Sequence, residues 1–120
     1  VKVSSVAICE TLKHFNIEAK IKWPNDIMVG DKKIAGILLE SSVTKNKVDY
    51  VILGMGINVN QVYFRHLSLI ATSIKKELQE VQKENVESKL IEQLNKFYTE
   101  FLTGERGYLE IYNRVKYENE

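Results

Sequence analysis

Near residue 65 the hydrophobic period of this chain changes from two to about 3.6, which limits the fold more than any composition figure. On the N-terminal side, Asp26-Ile-Met-Val-Gly-Asp-Lys-Lys-Ile-Ala-Gly-Ile-Leu-Leu-Glu40 sets two apolar runs around Gly30-Asp31. A glycine at the first central turn position suits a type II′ hairpin, so residues 26–40 read as two antiparallel strands. Ile21 to Trp23 reads as a short strand cut by Pro24, which lacks the amide that a central ladder needs. The polar stretch 41–46 reads as a loop. Residues 47–60, rich in Val, Ile and Leu, are too short and too β-branched for an ordinary helix and read as a third long strand.

Beyond residue 65, Leu67, Ile70, Ala71, Ile74 and Leu78 fall at i, i+3, i+4, i+7 and i+11, which predicts one helix. Leu90, Leu94, Phe97 and Phe101 predict a longer helix from about Val86, with Asn85 as N-cap and Gly104 as its stop. Tyr108, Ile111, Tyr112 and Val115 predict a last short helix. Ahead of the strands, Val1, Ile8, Leu12 and Phe15 share a helical stripe with Ala7 beside it, and Asn16 is a reasonable stop. Helix, hairpin-bearing sheet, then helices make a single α+β layer structure, with a mixed or antiparallel sheet and flanking helices. Residues 1–60 carry the sheet and 66–117 the tail helices.

Composition bounds the function. A length of 120 residues sets a prior of about one domain. Lys plus Arg number 17 against 16 for Asp plus Glu, a net charge of +1 that argues against a nucleic-acid module. No apolar run approaches the ~18 residues that a membrane span needs. The single Cys9 excludes an intrachain disulfide framework and fits a reducing, cytoplasmic setting. With only His14 and His66 beside it, the usual Cys/His zinc site is not expected. The chain opens on Val1-Lys-Val-Ser-Ser, already inside a helical stretch and without a leader, and reads as a piece of a longer protein.

Three stretches could carry chemistry. Pairing through a two-residue turn sets Val29 opposite Lys32, Met28 opposite Lys33 and Asp26 opposite Ala35, so Asp26, Met28, Lys33 and Ala35 share a face. A carboxylate and an ammonium in diagonal reach suit a metal–phosphate group beside an anionic ligand; a surface ion pair worth ~0–1 kcal/mol fits the same spacing. In Val51-Ile-Leu-Gly-Met-Gly-Ile-Asn-Val-Asn60, Leu53, Met55, Ile57 and Val59 point to the core, and Gly54, Gly56 and Asn58 point away. The glycines leave bare backbone for close approach by something flat, or for a bulge or a helix packed on the sheet. With no third Gly and no helix following directly, it is not a dinucleotide fingerprint. Trp23-Pro-Asn-Asp26 joins a ring, a turn, an amide and a carboxylate in one corner, which is also ordinary turn vocabulary. His14 and His66 read as structural or surface residues. Cys9, off the main stripe and without a local His, is no nucleophile, and the Glu/Lys-rich run 75–89 is a solvated surface.

Lys22-Trp-Pro-Asn-Asp26, Lys32-Lys-Ile-Ala-Gly-Ile-Leu-Leu-Glu40 and Gly54-Met-Gly-Ile-Asn-Val-Asn60, in that order, resemble the biotin protein ligases, and Leu69-Ile-Ala-Thr-Ser-Ile74 extends the likeness. The resemblance implies the class II synthetase-like catalytic domain shared by biotin and lipoate ligases, of which this would be the C-terminal part. It implies joining of biotin to ATP as biotinyl-5′-AMP, then transfer of biotin to a lysine of a biotin carboxyl carrier protein or domain, as in acetyl-CoA carboxylase. By match to the family motifs, Lys33 would contact the biotin carboxylate and the α-phosphate, and Asp26 would help hold Mg²⁺. Gly36, Ile37 and Leu38 would line the valeryl chain, Gly54, Met55 and Gly56 would lie along the biotin rings, and Asn58 would meet the adenine. Lys22 and Asn25 would face ATP. A homodimer is a further expectation, with no membrane partner and no nucleic acid indicated in this segment. The family's Gly- and Arg-rich loop and its small barrel domain have no counterpart in these residues. Lipoate protein ligase is the nearest rival within enzymes, and a non-catalytic ligand-binding or assembly module is the rival from another class.

Overall fold

In the computed structural model, residues 1–67 and 70–117 are described, apart from the side chain of His66. Helix α1 spans Lys2–His14 and ends on a Schellman motif. Asn16 takes a left-handed φ of 65°, its N–H bonds to the Lys13 carbonyl at 2.9 Å, and the Ile17 N–H bonds back to Leu12 at 2.9 Å. The asparagine stop therefore has a mechanism, and Leu12 and Ile17 enter the core with it. The buried arc of α1 is wider than the expected stripe: Ser4, Ser5, Val6, Cys9 and Thr11 are buried along with Ala7, Ile8 and Leu12, whereas Val1 is exposed.

Four strands follow, β1 (Lys20–Lys22), β2 (Asp26–Val29), β3 (Lys32–Thr44) and β4 (Lys47–Ile57), forming an antiparallel sheet in sequence order. The β2–β3 turn has positive φ at Gly30 and not at Asp31, as a type II′ turn requires. One register expectation fails. Val29 faces Lys32 and Met28 faces Lys33, but Asp26 pairs with Gly36, and Ala35 faces Ile27. The cause is a β-bulge at Ile34, an extra residue that places Ile34 and Ala35 together in the core. Gly36 thus takes the place beside Lys33 that alternation had given to Ala35.

The expected loop 41–46 is also strand. β3 and β4 run out as a two-stranded ribbon to Lys45 and Asn46, both at positive φ, the signature of a type I′ turn. The ribbon twists past the end of the core, so polar residues on it mark solvent rather than a break in pairing. β4 in turn stops at Ile57, short of Asn60, because the Asn58 N–H turns to the Ile34 carbonyl at 2.9 Å and the Asn58 and Val59 carbonyls accept from Ile74 and Lys75.

The helix expected over 67–78 does not form as one unit, and Leu69 of that stretch lies outside the described residues. A 3₁₀ turn, Arg65–Leu67, is followed by an extended bridge at Ala71, then by the one-turn helix α2, Ile74–Glu77. Ser73 caps α2 in the β region, its Oγ accepting from the Lys76 N–H at 3.1 Å. Helix α3, Lys83–Thr103, begins three residues before the expected start: Asn85 is already inside its first turn, with its N–H bonded to Gln82, the actual N-cap. Gly104 ends it at φ 83°, and α4, Gly107–Val115, follows as expected. The core lies between the inner face of the sheet and α1, α3 and α4, with Ile8, Leu12, Ile21, Ile27, Ile34, Ile74 and Phe97 almost fully buried. Leu53, Met55, Ile57 and Val59 pack on it from β4 and beyond.

Candidate ligand site on the open face of the sheet

Once Leu53, Met55 and Ile57 commit their side chains to the core, the alternate positions of β4 face outward. There Gly56 pairs with Gly36, and Gly54 with Leu38. A Cβ placed on Gly56 would meet nothing within 4 Å, and one on Gly54 would make only ordinary contact with Leu38. Among the described residues no helix packs on this strip. Gly36 and Gly56 floor an open groove of about 470 Å³. Its walls come from Lys33, Asn58, Gln61, Phe64, Leu67 and Ile70.

Lys33 and Asp26 meet at its edge, Nζ to Oδ1 at 3.0 Å, despite the shift in register. The bulge keeps them together because it moves only the core-facing residues. The Lys33 side chain passes directly over Gly36: a Cβ there would lie 3.0 Å from Cε and 3.1 Å from Nζ. Gly36 therefore makes room for the lysine itself. Both partners remain partly exposed, so the pair adds only ~0–1 kcal/mol to stability.

Lys22 stands opposite Asp26 in register, with its Nζ 5.9 Å from the centroid of the Tyr117 ring. Asn25 is clamped to β3, its Nδ2 donating to the Ile37 carbonyl at 2.8 Å while its own carbonyl accepts from the Ile37 N–H at 3.0 Å. Leu38 is exposed on the open face. Ile37 and Met55 turn their side chains to the core and present only main chain to the site. The Asn58 Nδ2 donates to the Thr72 carbonyl at 3.0 Å. Among the expected non-participants, His14 packs edge-on against Phe15, and burial pushes the Cys9 thiol up to about 12, which removes it as a nucleophile near neutral pH.

Gln61 and Phe64 also line this site, and no motif singled them out; Thr72, from the quoted 69–74 stretch, backs it through Asn58. Phe64 is buried beneath the Lys76 ammonium, which stands 5.4 Å from its ring centroid. The only signal for it was an aromatic residue in a stretch with no assigned element.

Comparison with known proteins agrees with this geometry. Residues 1–58 match the model of the Biotin/lipoate A/B protein ligase family. The bifunctional ligase/repressor BirA of Bacillus subtilis is 43% identical over 60 residues, 49% of this chain and 18% of that protein. The structure superposes on the biotin protein ligase of Aquifex aeolicus with a TM-score of 0.76 at 24% identity, covering 95% of this chain and 50% of that one. The same enzyme in complex with biotin and ATP gives a TM-score of 0.73. Plasmodium falciparum LipL1 in complex with lipoate gives 0.59 at 26% identity, over 95% of this chain and 40% of that one. Residues 1–58 are thus similar to the biotin/lipoate ligase family. The chain spans about half the length of the solved enzyme it matches and 18% of the Bacillus subtilis protein.

Proposed function

We propose that this chain forms the biotin- and nucleotide-binding face of an ATP-dependent biotin protein ligase. The observation that carries the reading is the Lys33 ammonium held 3.0 Å from Asp26 over the bare Gly36–Gly56 floor. In the first step the biotin carboxylate attacks the α-phosphorus of ATP, forming an acyl–phosphate bond and releasing pyrophosphate. Lys33 binds both reacting groups, offsetting their repulsion before reaction and the charge that grows on the phosphoryl oxygens during it. In the second step the amine of a carrier lysine attacks the acyl carbon, an amide forms, and AMP leaves. Asp26 supplies one carboxylate beside that phosphate position. Among the described residues no group of three or more His, Cys, Asp or Glu stands together, so the donor set fits Mg²⁺ shared with phosphate oxygens rather than an all-protein cage. Bound there, Mg²⁺ would supply Lewis-acid neutralisation of phosphate charge.

The remaining roles follow the family resemblance. Gly54 and Gly56 accept the flat biotin rings, and Leu38 with the main chain of 36–38 lines the valeryl arm. The Asn58 Oδ1, which accepts no hydrogen bond from the described residues, offers an acceptor to the adenine, and Lys22 and Asn25 flank the nucleotide. The acceptor is a biotin carboxyl carrier domain of the acetyl-CoA carboxylase type, and the location is cytoplasmic. No helix among the described residues is long and apolar enough to cross a membrane.

The test is pyrophosphate release by the full-length protein given biotin and ATP. Release that requires biotin, followed by labelling of a carrier domain, is expected. Biotin binding without pyrophosphate release would favour a non-catalytic binding module, and tighter binding of lipoate than of biotin would move the chain to the lipoate ligases.

A further inference from the structure

β4 ends opposite Ala35, which leaves the first residues of β3 without a strand on that side. A segment far along the chain takes the vacant place. The Lys33 N–H donates to the Ile70 carbonyl at 2.8 Å, and the Lys33 carbonyl accepts from the Thr72 N–H at 2.9 Å, so Ala71 bridges Lys33 in parallel. Both main-chain polar groups of Lys33 are thus held by residues 70–72.

That segment is fastened chiefly through Thr72, which has no solvent exposure. Its N–H bonds to Lys33, its hydroxyl donates to Glu77 Oε2 at 2.5 Å, and its carbonyl accepts from Asn58 Nδ2 at 3.0 Å. Asn58 is itself fixed, with its N–H on the Ile34 carbonyl at 2.9 Å and its carbonyl accepting from Ile74 at 3.0 Å. Asn58 therefore bonds through its own N–H to the main chain of Ile34, next to Lys33, and through its side-chain amide to Thr72, whose main-chain N–H bonds the Lys33 carbonyl. Depriving the carbonyl of buried Thr72 of the Asn58 donor is costly, so the side chain of Asn58 is not free to leave Thr72 for a ligand.

We infer that Asn58 and Thr72 are positioning residues for Lys33: the Asn58 amide holds Thr72, and Thr72 sets the main chain from which the Lys33 ammonium reaches the reacting groups. The inference rests on the role proposed for Lys33, and it assigns Asn58 a task separate from any contact of its Oδ1 with adenine.

The decisive experiment measures Asn58→Ala and the milder Thr72→Val, in wild-type and Lys33→Ala backgrounds of the full-length protein. Three quantities are read: amide hydrogen exchange at Lys33 and Thr72, the single-turnover rate of adenylate formation at saturating ATP, and the KM for ATP. Asn58→Ala should speed exchange at both amides by about tenfold or more, the worth of one lost buried hydrogen bond. The adenylation rate at saturating ATP should fall about tenfold with it, in addition to the rise in KM for ATP that loss of the Oδ1 contact brings, whereas in Thr72→Val the KM for ATP should stay within about twofold. Thr72→Val, which removes only the hydroxyl bond to Glu77, should show the same exchange and rate changes more weakly and keeps the result readable if Asn58→Ala does not fold. In the Lys33→Ala background the rate effect should vanish, since residues acting through one group are non-additive. Unchanged exchange with a raised KM for ATP would make Asn58 a nucleotide contact only, and additive rate losses would make it a general structural residue; either result overturns the inference. A full adenylation rate in Lys33→Ala alone would instead remove the lysine's role, while the exchange data would still report whether Asn58 anchors it.

Discussion

The inner and outer halves of the β3–β4 ribbon share one antiparallel pairing and differ in almost everything else. In the inner half, Gly36 faces Gly56 and Leu38 faces Gly54, while Ile37, Leu53 and Met55 fasten the opposite face to the core. In the outer half no core lies beneath the strands, and Val43, Val48, Tyr50, Val51 and Ile52 are all more than half exposed. Glycine weakens a strand, and it is concentrated where the other face is best anchored. Side chains are missing from the sheet only where the backbone can remain in place without them. The outer half, with no such anchor, carries β-branched residues and holds its end with a tight turn and hydroxyl–carboxylate bonds.

The sharpest way to break this contrast is to fill the bare strip. In Gly56→Val the added Cβ meets no described protein atom within 4 Å, so the thermal midpoint should be unchanged or slightly raised, given the higher β-propensity of Val. Biotin binding by calorimetry should fall below detection. Retained binding with a lowered midpoint would show that the strip serves packing and not a ligand.

Next in size is the charge at the edge of the strip. Lys33→Ala should slow adenylate formation by the ~10²–10³-fold expected for losing one preorganised electrostatic group, read in a single turnover. A near-normal rate would take Lys33 out of the chemistry and leave its pair with Asp26 as an ordinary surface contact.

Gly36→Ala sharpens the same point by geometry. Its Cβ would sit 3.0 Å from Lys33 Cε, against a flexible side chain that can move aside, so the fold should tolerate it. The displaced ammonium should lose its place beside Asp26, with a rate loss of about tenfold and no change in melting, consistent with the sensitivity of catalysis to displacements of about 1 Å. An unaltered rate would mean that several positions of the lysine are productive.

Much of this was legible in the sequence, for identifiable reasons. The alternation through Leu53, Met55 and Ile57 forced Gly54 and Gly56 outward, and the two-residue turn at Gly30-Asp31 brought Asp26 near Lys33. The bulge was hidden because Ile34 and Ala35 are both apolar, so neither looks misplaced when two successive residues enter the core. The false helix over 67–78 arose because a 3₁₀ turn, an extended bridge and a single helical turn can reproduce apolar spacing at three and four. What fastens the site was hidden for a related reason: Thr72 and the Asn58 amide act through main-chain partners distant in the sequence, and sequence spacing carries no trace of such contacts.

The smallest effect is expected at the far end of the ribbon, and it tests whether the two halves are independent. Asp49 is the unpaired residue of the bulge between Ser42 and Val43, and its Oδ2 accepts from Thr44 Oγ1 at 2.6 Å and from Ser42 Oγ at 3.3 Å. All three groups are exposed, so water replaces the carboxylate readily when it is removed. Asp49→Ala should therefore cost no more than about 1 kcal/mol of stability. Biotin affinity and adenylation rate should stay at wild-type values, because the rigid packing of Ile37, Leu53 and Met55 separates this end from Gly36 and Gly56. A loss of binding without a loss of stability would show that the twist of the outer ribbon reaches the glycine floor, and the division between the halves would then fail.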